Sequence, residues 1–351
     1  MKIKKIKIKD KYIYVNKDNG RWVTGSPNKL KELLQIRNIN YLEYLNKYPY
    51  YYVLNTTNNC NNNCSYCYKK EKLRNKKNKI NNDTIIKLIK YIKNNDIKHF
   101  QIEFHGGEPL LYFSEIKYWV RLIKKSLGNK INFSIITNGT LINKDVVSFI
   151  KENRISIGVS LDGPLNIHNK YRQNFNKTLN GIKLLQKEKI NFGILVTVTS
   201  YSSKRIKEIL DYFYQNNIRD VSIRPLVKPK YIDKKRVGVN PKEYYTYMKG
   251  ILDYFVKRYK HDNIILRERE TEIWIKYIFT NIRDYMCRNY PCGYGNAIVA
   301  IDVDGTVYPC DTYIGNKTAK ITSDLLKYNN DLVKKKNISS ICKNCEYFHY
   351  C

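Results

Sequence analysis

Cys60, Cys64 and Cys67 stand within the ten residues Asn59-Cys60-Asn61-Asn62-Asn63-Cys64-Ser65-Tyr66-Cys67-Tyr68, soon after the apolar run Tyr51 to Leu54. Three thiolates this close in the chain can face one point in space, which is how soft ligands hold an iron–sulfur cluster or zinc. A cubane [4Fe–4S] cluster takes four ligands, and the next cysteine in the chain is Cys287. A three-cysteine site therefore leaves one iron open to a ligand that is not protein. A structural zinc site closes all four positions, usually with paired Cys-x2-Cys motifs. Zinc here would need a distant fourth ligand such as His99 or His105.

The elements that must carry this loop alternate along the chain. The pattern predicts short strands rich in Ile, Val and Phe at Tyr51–Thr57, Phe100–His105, Asn132–Thr137, Ser156–Ser160, Asn191–Thr199 and Val221–Pro225. Amphipathic stretches lie between and after them, at Asn82–Asn94, Ser114–Leu127, Asn143–Glu152, Thr178–Lys189, Lys204–Asn216 and Pro241–Tyr259. Six strand–helix units imply a parallel sheet with right-handed crossovers, short of the eight units of a closed barrel. Sites in such sheets sit at the carboxyl ends of the strands, and the cysteine loop follows the first strand. Three further loops leave the same end. They are Phe104-His105-Gly106-Gly107-Glu108-Pro109, Thr137-Asn138-Gly139-Thr140, and Ser160-Leu161-Asp162-Gly163-Pro164 with His168 and Arg172 beyond it. Paired glycines let backbone approach a ligand closely, and Glu108 sets a charge beside it. Asn138, Asp162 and His168 also suit plain turn and capping roles.

With these motifs the chain resembles the radical S-adenosylmethionine (SAM) superfamily, and Tyr66 fills the aromatic position of that family's cysteine signature. The resemblance implies a partial (β/α)6 TIM-type barrel. It implies a [4Fe–4S] cluster on Cys60, Cys64 and Cys67 whose open iron chelates SAM, and reductive cleavage of SAM to a 5′-deoxyadenosyl radical. It also implies that Gly106, Gly107, Glu108 and Pro109 bind the SAM ammonium, and that Ser134 and Arg172 touch SAM, Arg172 near the carboxylate. A carboxylate suits an ammonium, and a guanidinium fork matches a carboxylate bidentately.

Six more cysteines follow: Cys287, Cys292, Cys310, Cys342, Cys345 and Cys351. Asp302 to Asp311 reads as a hairpin with an Asp-Gly turn. The runs Cys292-x12-Gly305-x4-Cys310 and Cys342-x2-Cys345-x5-Cys351 resemble the SPASM domain of peptide-modifying radical SAM enzymes, which implies one or two auxiliary [4Fe–4S] clusters. That pattern supplies eight thiolates for two clusters, and six cannot do so. A truncated C-terminus is one expectation, and a zinc ribbon is the structural alternative. Asp311 matches the aspartate proposed in anaerobic sulfatase-maturing enzymes as the base for the second deprotonation. A substrate radical must indeed lose a proton as it loses an electron.

The 351 residues carry 64 Lys and Arg against 31 Asp and Glu, a net charge of +33. The lysines are spread along the chain together with Asn, Ile and Tyr. This favours a compositional bias over a dedicated nucleic-acid surface, although a positive field could steer an acidic peptide. The N-terminus alternates Lys with Ile rather than forming a signal sequence, and no run approaches the roughly 20 apolar residues of a membrane span. A reducing cytoplasm is the expected setting. Residues 1–50 read as an appendix. It has one strand over Ile3 to Val15, a turn at Lys17 to Gly20, a returning strand at Arg21 to Val23 and a helix start at Ser26-Pro27. Residues 51–275 read as the barrel and 280–351 as the cysteine-rich domain. The expected function is radical modification of a peptide or protein side chain, of the peptide-maturase type, with an external flavodoxin- or ferredoxin-type electron donor. Formylglycine formation is the alternative. A metal-binding protein without SAM chemistry would have no use for Tyr66, the Gly-Gly-Glu-Pro loop or Arg172, and a nucleic-acid-binding protein is a third reading prompted by the charge.

Overall fold

The computed structural model describes residues 3–8, 11–16, 22–24, 48–67, 69, 79–128, 131–226, 237–280, 293–316 and 320–329. Three strands, β1 (Ile3–Ile8), β2 (Lys11–Asn16) and β3 (Trp22–Thr24), form a small antiparallel sheet. Ile3 pairs with Asn16 and Ile8 with Lys11. The alternating run from Ile3 to Val15 is thus two strands folded on each other, not the single strand expected. β3 returns along β2, as the later turn signal requires.

The main sheet has nine strands. In chain order they are β4 (Tyr51–Thr57), β5 (Gln101–Gly106), β6 (Asn132–Thr137), β7 (Ser156–Ser160), β8 (Phe192–Val198), β9 (Asp220–Pro225), β10 (Arg267–Glu268), β11 (Ile298–Ile301) and β12 (Val307–Tyr308). Their spatial order is β10-β9-β8-β7-β6-β5-β4-β11-β12. Every neighbour pair is parallel except β11–β12. The six predicted strand–helix units are present as an open parallel α/β barrel. The additions are β10 at one edge and, at the other, β11, which lies parallel to β4. The Asp-Gly hairpin is formed, with Gly305 at φ +81° donating its N–H to the Asp302 carbonyl at 2.9 Å.

Period-2 alternation decides which side chains enter the barrel. On β5 and β6 the outward residues Ile102, Phe104, Phe133 and Ile135 are buried against helices. The inward residues Gln101, Glu103, Ser134 and Gly158 are polar or small and leave internal space. Ile136 and Leu195 border both internal cavities and divide the barrel interior into a carboxyl-end and an amino-end chamber.

The helices start where side chains accept orphan N–H groups. Asn81 caps the helix Asn82–Asn94 through the N–H of Thr84. Asn143 caps Lys144–Asn153 through Val146. Asn240 and Glu243 form a capping box at Pro241–Asp262. Two helices escaped the sequence pattern: Leu165–Tyr171, only two turns long, and Arg269–Thr280.

Candidate active site

The cysteine loop leaves β4 beside a register shift between Asn55 and Thr57, an irregularity that turns the chain across the barrel mouth. Three neighbouring loops fasten it. Gly107 N–H donates to the Thr57 carbonyl at 2.7 Å and Glu108 N–H to the Asn59 carbonyl at 2.8 Å. A Cβ on Gly107 would lie 2.0 Å from the Asn59 carbonyl oxygen, so a glycine is required there. Gly106, at φ +143°, is equally bound to glycine. From the loop after β6, Asn138 Nδ2 donates to Asn61 Oδ1 at 2.7 Å and lies 3.9 Å from Cys60 Sγ. From the segment after β7, the Tyr171 carbonyl accepts from Ser65 N–H at 2.8 Å, and the Arg172 carbonyl lies 3.7 Å from Cys64 Sγ.

All three thiols line one cavity of about 470 Å³, with Gly106, Gly107, Asn138, Ser160 and Arg172 on its walls. None is in a disulfide. Burial pushes the thiol pKa of Cys60 up, and that of Cys64 up to about 11. Among the described residues no three His, Cys, Asp or Glu side chains converge as one mononuclear ion would need. The thiols ring a cavity rather than a single point, and a cubane takes each thiolate on a separate iron. The residues therefore fit a cluster: soft ligands on one loop, poor as free thiolates, beside room for a second ligand.

Behind this wall lies a buried charge set. Asp162 Oδ2 accepts from the Tyr66 hydroxyl and from Arg172 Nε at 3.3 Å, and Oδ1 accepts from Thr197 N–H at 3.0 Å. Arg172 also lies over the Tyr66 ring, 5.5 Å from its centroid. Burial opposes the Arg172 charge, but Asp162, Tyr66 and Cys64 outweigh it and raise its pKa. His168 is fully buried; its Nδ1 accepts from Asp162 N–H at 3.3 Å and its Nε2 faces the Gln173 carbonyl at 3.0 Å. That pairing fixes a neutral, Nε2-protonated ring, and burial lowers its pKa to about 4. His168 braces the loop, and Asp162 orients Arg172 and Tyr66.

Two of the residues expected to touch SAM lie off the wall of the thiol-lined cavity. Ser134 lies at the amino end, accepting from Gln101 Nε2 at 2.9 Å and lining the other chamber. It sits three positions before the end of β6, one layer too deep; Ser160, at the end of β7, occupies the wall instead. Glu108 is wholly buried and is not on the cavity wall. Its carboxylate accepts from Leu110 N–H at 3.0 Å, Thr137 Oγ1 at 2.6 Å and Asn138 N–H at 2.7 Å, tying the second loop to the third. Burial pushes its pKa up to about 7 against those three donors. Pro109, also buried, opens the short 3-10 turn Pro109–Tyr112 that Glu108 caps.

Lys69 and His105 also line the cavity, a pairing that no local motif in the sequence signals. Buried Lys69 donates to Asn55 Oδ1 at 3.0 Å, and Asn55 Nδ2 donates to Asp302 Oδ1 of the hairpin at 2.5 Å. The charge of Asp311, which follows the returning strand β12, acts on Lys69 and His105 of this cavity and on Glu103 of the amino-end chamber. Asp311 Oδ1 lies 2.9 Å from Cys310 Sγ. Cys287, Cys292, Cys342, Cys345 and Cys351 lie outside the described residues.

An open parallel α/β barrel with a three-cysteine loop at its mouth defines a class of iron–sulfur enzymes. The family model of the Radical SAM superfamily matches residues 54–213. The chain is 31% identical over 288 residues to the cysteine-type anaerobic sulfatase-maturating enzyme of Clostridium novyi (strain NT), covering 75% of each protein. It is 24% identical over 303 residues to the serine-type enzyme of Bacteroides thetaiotaomicron, covering 75% of this chain and 70% of that one. The chain belongs to the radical SAM superfamily. It is an enzyme of SAM radical chemistry, related to the anaerobic sulfatase-maturating enzymes. Its fold is similar to anSMEcpe with bound AdoMet, at a TM-score of 0.75 and 24% identity over 86% of this chain and 88% of that one. It is also similar in fold to Streptococcus suis SuiB bound to S-adenosylmethionine, at a TM-score of 0.66 and 16% identity over 97% and 91%. Among the described residues no helix is long and apolar enough to cross a membrane.

Proposed function

We propose that this enzyme oxidises a side-chain carbon of a peptide or protein, with a Cys or Ser residue as the target. The carrying observation is the shared cavity lined by the three thiols together with Lys69, His105 and Arg172, with the charge of Asp311 acting on Lys69 and His105. Cys60, Cys64 and Cys67 would hold the [4Fe–4S] cluster. Arg172 and Ser160 would take the SAM carboxylate, and the backbone of Gly106 and Gly107 would flank its ammonium. When bound, this pair supplies a radical able to take hydrogen from an unactivated carbon. Asp311 would then accept the proton that the substrate loses. Cys310 and the five later cysteines would hold one or two auxiliary clusters. The external reductant would be of the flavodoxin or ferredoxin type, and the setting the cytoplasm.

The similarity to cysteine-type and serine-type anaerobic sulfatase-maturating enzymes supports the Cys or Ser target. Maturation of a ribosomally made precursor is the second reading, favoured by the β1–β3 sheet ahead of the barrel and the likeness in fold to SuiB. The test is anaerobic turnover of two peptides, one carrying a sulfatase-type Cys or Ser and one a precursor-type sequence, with product masses and 5′-deoxyadenosine counted together. Aldehyde formation with matched 5′-deoxyadenosine supports the first reading, and product from the precursor alone supports the second. No SAM cleavage with either peptide would sink both.

A further inference from the structure

Three tyrosine rings run from the cysteine loop to the surface. Tyr66, between Cys64 and Cys67, lies 6.1 Å from Tyr171 between ring centroids, and Tyr171 lies 6.4 Å from Tyr201. Tyr66 is 7% exposed, whereas Tyr171 and Tyr201 are only partly buried. Cations cover the outer end. Arg205 Cζ stands 3.8 Å from the Tyr201 centroid, and Lys170 Nζ stands 4.4 Å from Tyr201 and 5.8 Å from Tyr171. Lys204 beside them is exposed. Tyr66 itself lines the cavity, but Lys170, Tyr171, Tyr201, Lys204 and Arg205 do not, so the outer end of the row lies off the cavity wall.

We infer that the surface of Lys170, Tyr171, Tyr201, Lys204 and Arg205 is the docking site of an acidic one-electron carrier protein, which reduces the cluster through the Tyr66 side of the loop. The inference rests on the assignment of Cys60, Cys64 and Cys67 as cluster ligands. Electron tunnelling weakens steeply with distance, and a donor at this patch comes within three ring contacts of the loop without competing with SAM or substrate. The electron balance is simple. The donor's flavin or iron–sulfur centre is oxidised by one electron, the cluster is reduced by one, and no group is transferred. Redox partners dock over small interfaces, so a patch of this size suffices. Unlike sign on the partner steers the encounter and sets its rate more than its lifetime. The excess of 64 basic over 31 acidic residues makes an acidic partner the natural complement. The stacked cations give this patch a fixed geometry that scattered surface lysines lack.

The test uses the reconstituted full chain and a recombinant flavodoxin of net negative charge. The variants are K170E/R205E and, as a charge-matched control on the helix Asn82–Asn94, K90E/K93E. Binding is followed by titration at low and moderate salt, and cluster reduction by absorbance after mixing with photoreduced flavodoxin. The patch variant should bind flavodoxin at least tenfold more weakly and reduce its cluster correspondingly slowly. The control should stay within about twofold of wild type. Dithionite-driven SAM cleavage should be unchanged in both. Equal weakening in both variants would reduce the effect to overall charge and overturn the inference. So would unchanged flavodoxin binding in K170E/R205E, including the case where that variant loses only duplex-DNA binding and the patch is a nucleic-acid surface. Loss of dithionite-driven cleavage in wild type would instead fault the cluster assignment itself.

Discussion

Arg172 is held by Asp162 on one side and laid on Tyr66 on the other, with side-chain exposures of 13% for Arg172 and 4% for Asp162. Removing it leaves a buried carboxylate whose remaining donors are the Tyr66 hydroxyl and one backbone N–H. Breaking such a pair typically costs about 3–5 kcal/mol, so Arg172→Ala should lower both stability and SAM affinity, the latter by at least roughly tenfold. Arg172→Lys should restore stability more than affinity, because a point charge cannot grip a carboxylate as a fork does. Isothermal titration with SAM set against urea melts separates the two losses, and an unchanged SAM affinity in both variants would remove Arg172 from the binding site. His168 sets a pH signature beside it. Between about pH 4 and 6.5 the unfolded ring binds a proton that the folded ring refuses, so stability rises with pH across this window. The contribution is complete above pH 6.5 and is lost as pH falls toward 4, at most about 3 kcal/mol in all. His168→Gln should flatten this part of the stability profile, read from urea midpoints at each pH. A slope unaltered by the substitution would place the titrating group elsewhere.

At the scale of elements, the site is four loops laid over the ends of four adjacent strands, each bonded to the cysteine loop or to its neighbour. The tightest join is between backbones at Gly107 and Asn59. A methyl group there must displace the cysteine loop, since a Cβ would sit 2.0 Å from a carbonyl oxygen. Overpacking of this kind costs about 1–3 kcal/mol. Gly107→Ala should keep the barrel folded by circular dichroism, yet give a cluster that is lost on gel filtration and little SAM cleavage. A variant with full iron content and normal cleavage would show that the loop tolerates the shift and that the contact is incidental. Glu108 acts at this scale too. It ties the second loop to the end of β6, so its effect on SAM is expected to come through loop position rather than contact.

For the whole molecule, the hairpin β11–β12 is the decisive addition, because it extends the barrel sheet beyond β4 and its returning strand leads Cys310 and Asp311 back along the sheet toward the amino end, where Cys310 packs on the cluster of Val53, Ile298 and Tyr308. Asn55 of the barrel and Asp302 of the hairpin lock the two parts. Asp311→Asn should leave SAM cleavage in place and abolish peptide product, since a base is needed only after hydrogen is abstracted. Equal loss of both would assign Asp311 to structure. A chain with Cys60, Cys64 and Cys67 all replaced by Ala should make no 5′-deoxyadenosine and still bind iron through the later cysteines. Metal analysis giving zinc and no iron in that variant would make the C-terminal cysteines a structural zinc module.

Local patterning alone determined the parallel barrel, the cysteine motif and most element boundaries. β4, β6 and β7 and the helix Asn82–Asn94 fall where their periodicity and capping residues put them, because those signals act over a few neighbours. The same is true of the Asp-Gly hairpin. Height within the barrel is different. Ser134 and Ser160 both point inward, but which chamber each enters depends on how far along its strand it sits: Ser134 lines the amino-end chamber and Ser160 the chamber that holds the thiols. Glu108 looked like a ligand group because its loop does face the site; only packing revealed that three donors of the chain already claim its carboxylate. Lys69 and His105, 36 residues apart in sequence, meet across one cavity because β4 and β5 are neighbours. Asp302 reaches Asn55 across 247 residues for the same kind of reason, and no local pattern encodes a hydrogen bond formed only when β11 joins the sheet beside β4.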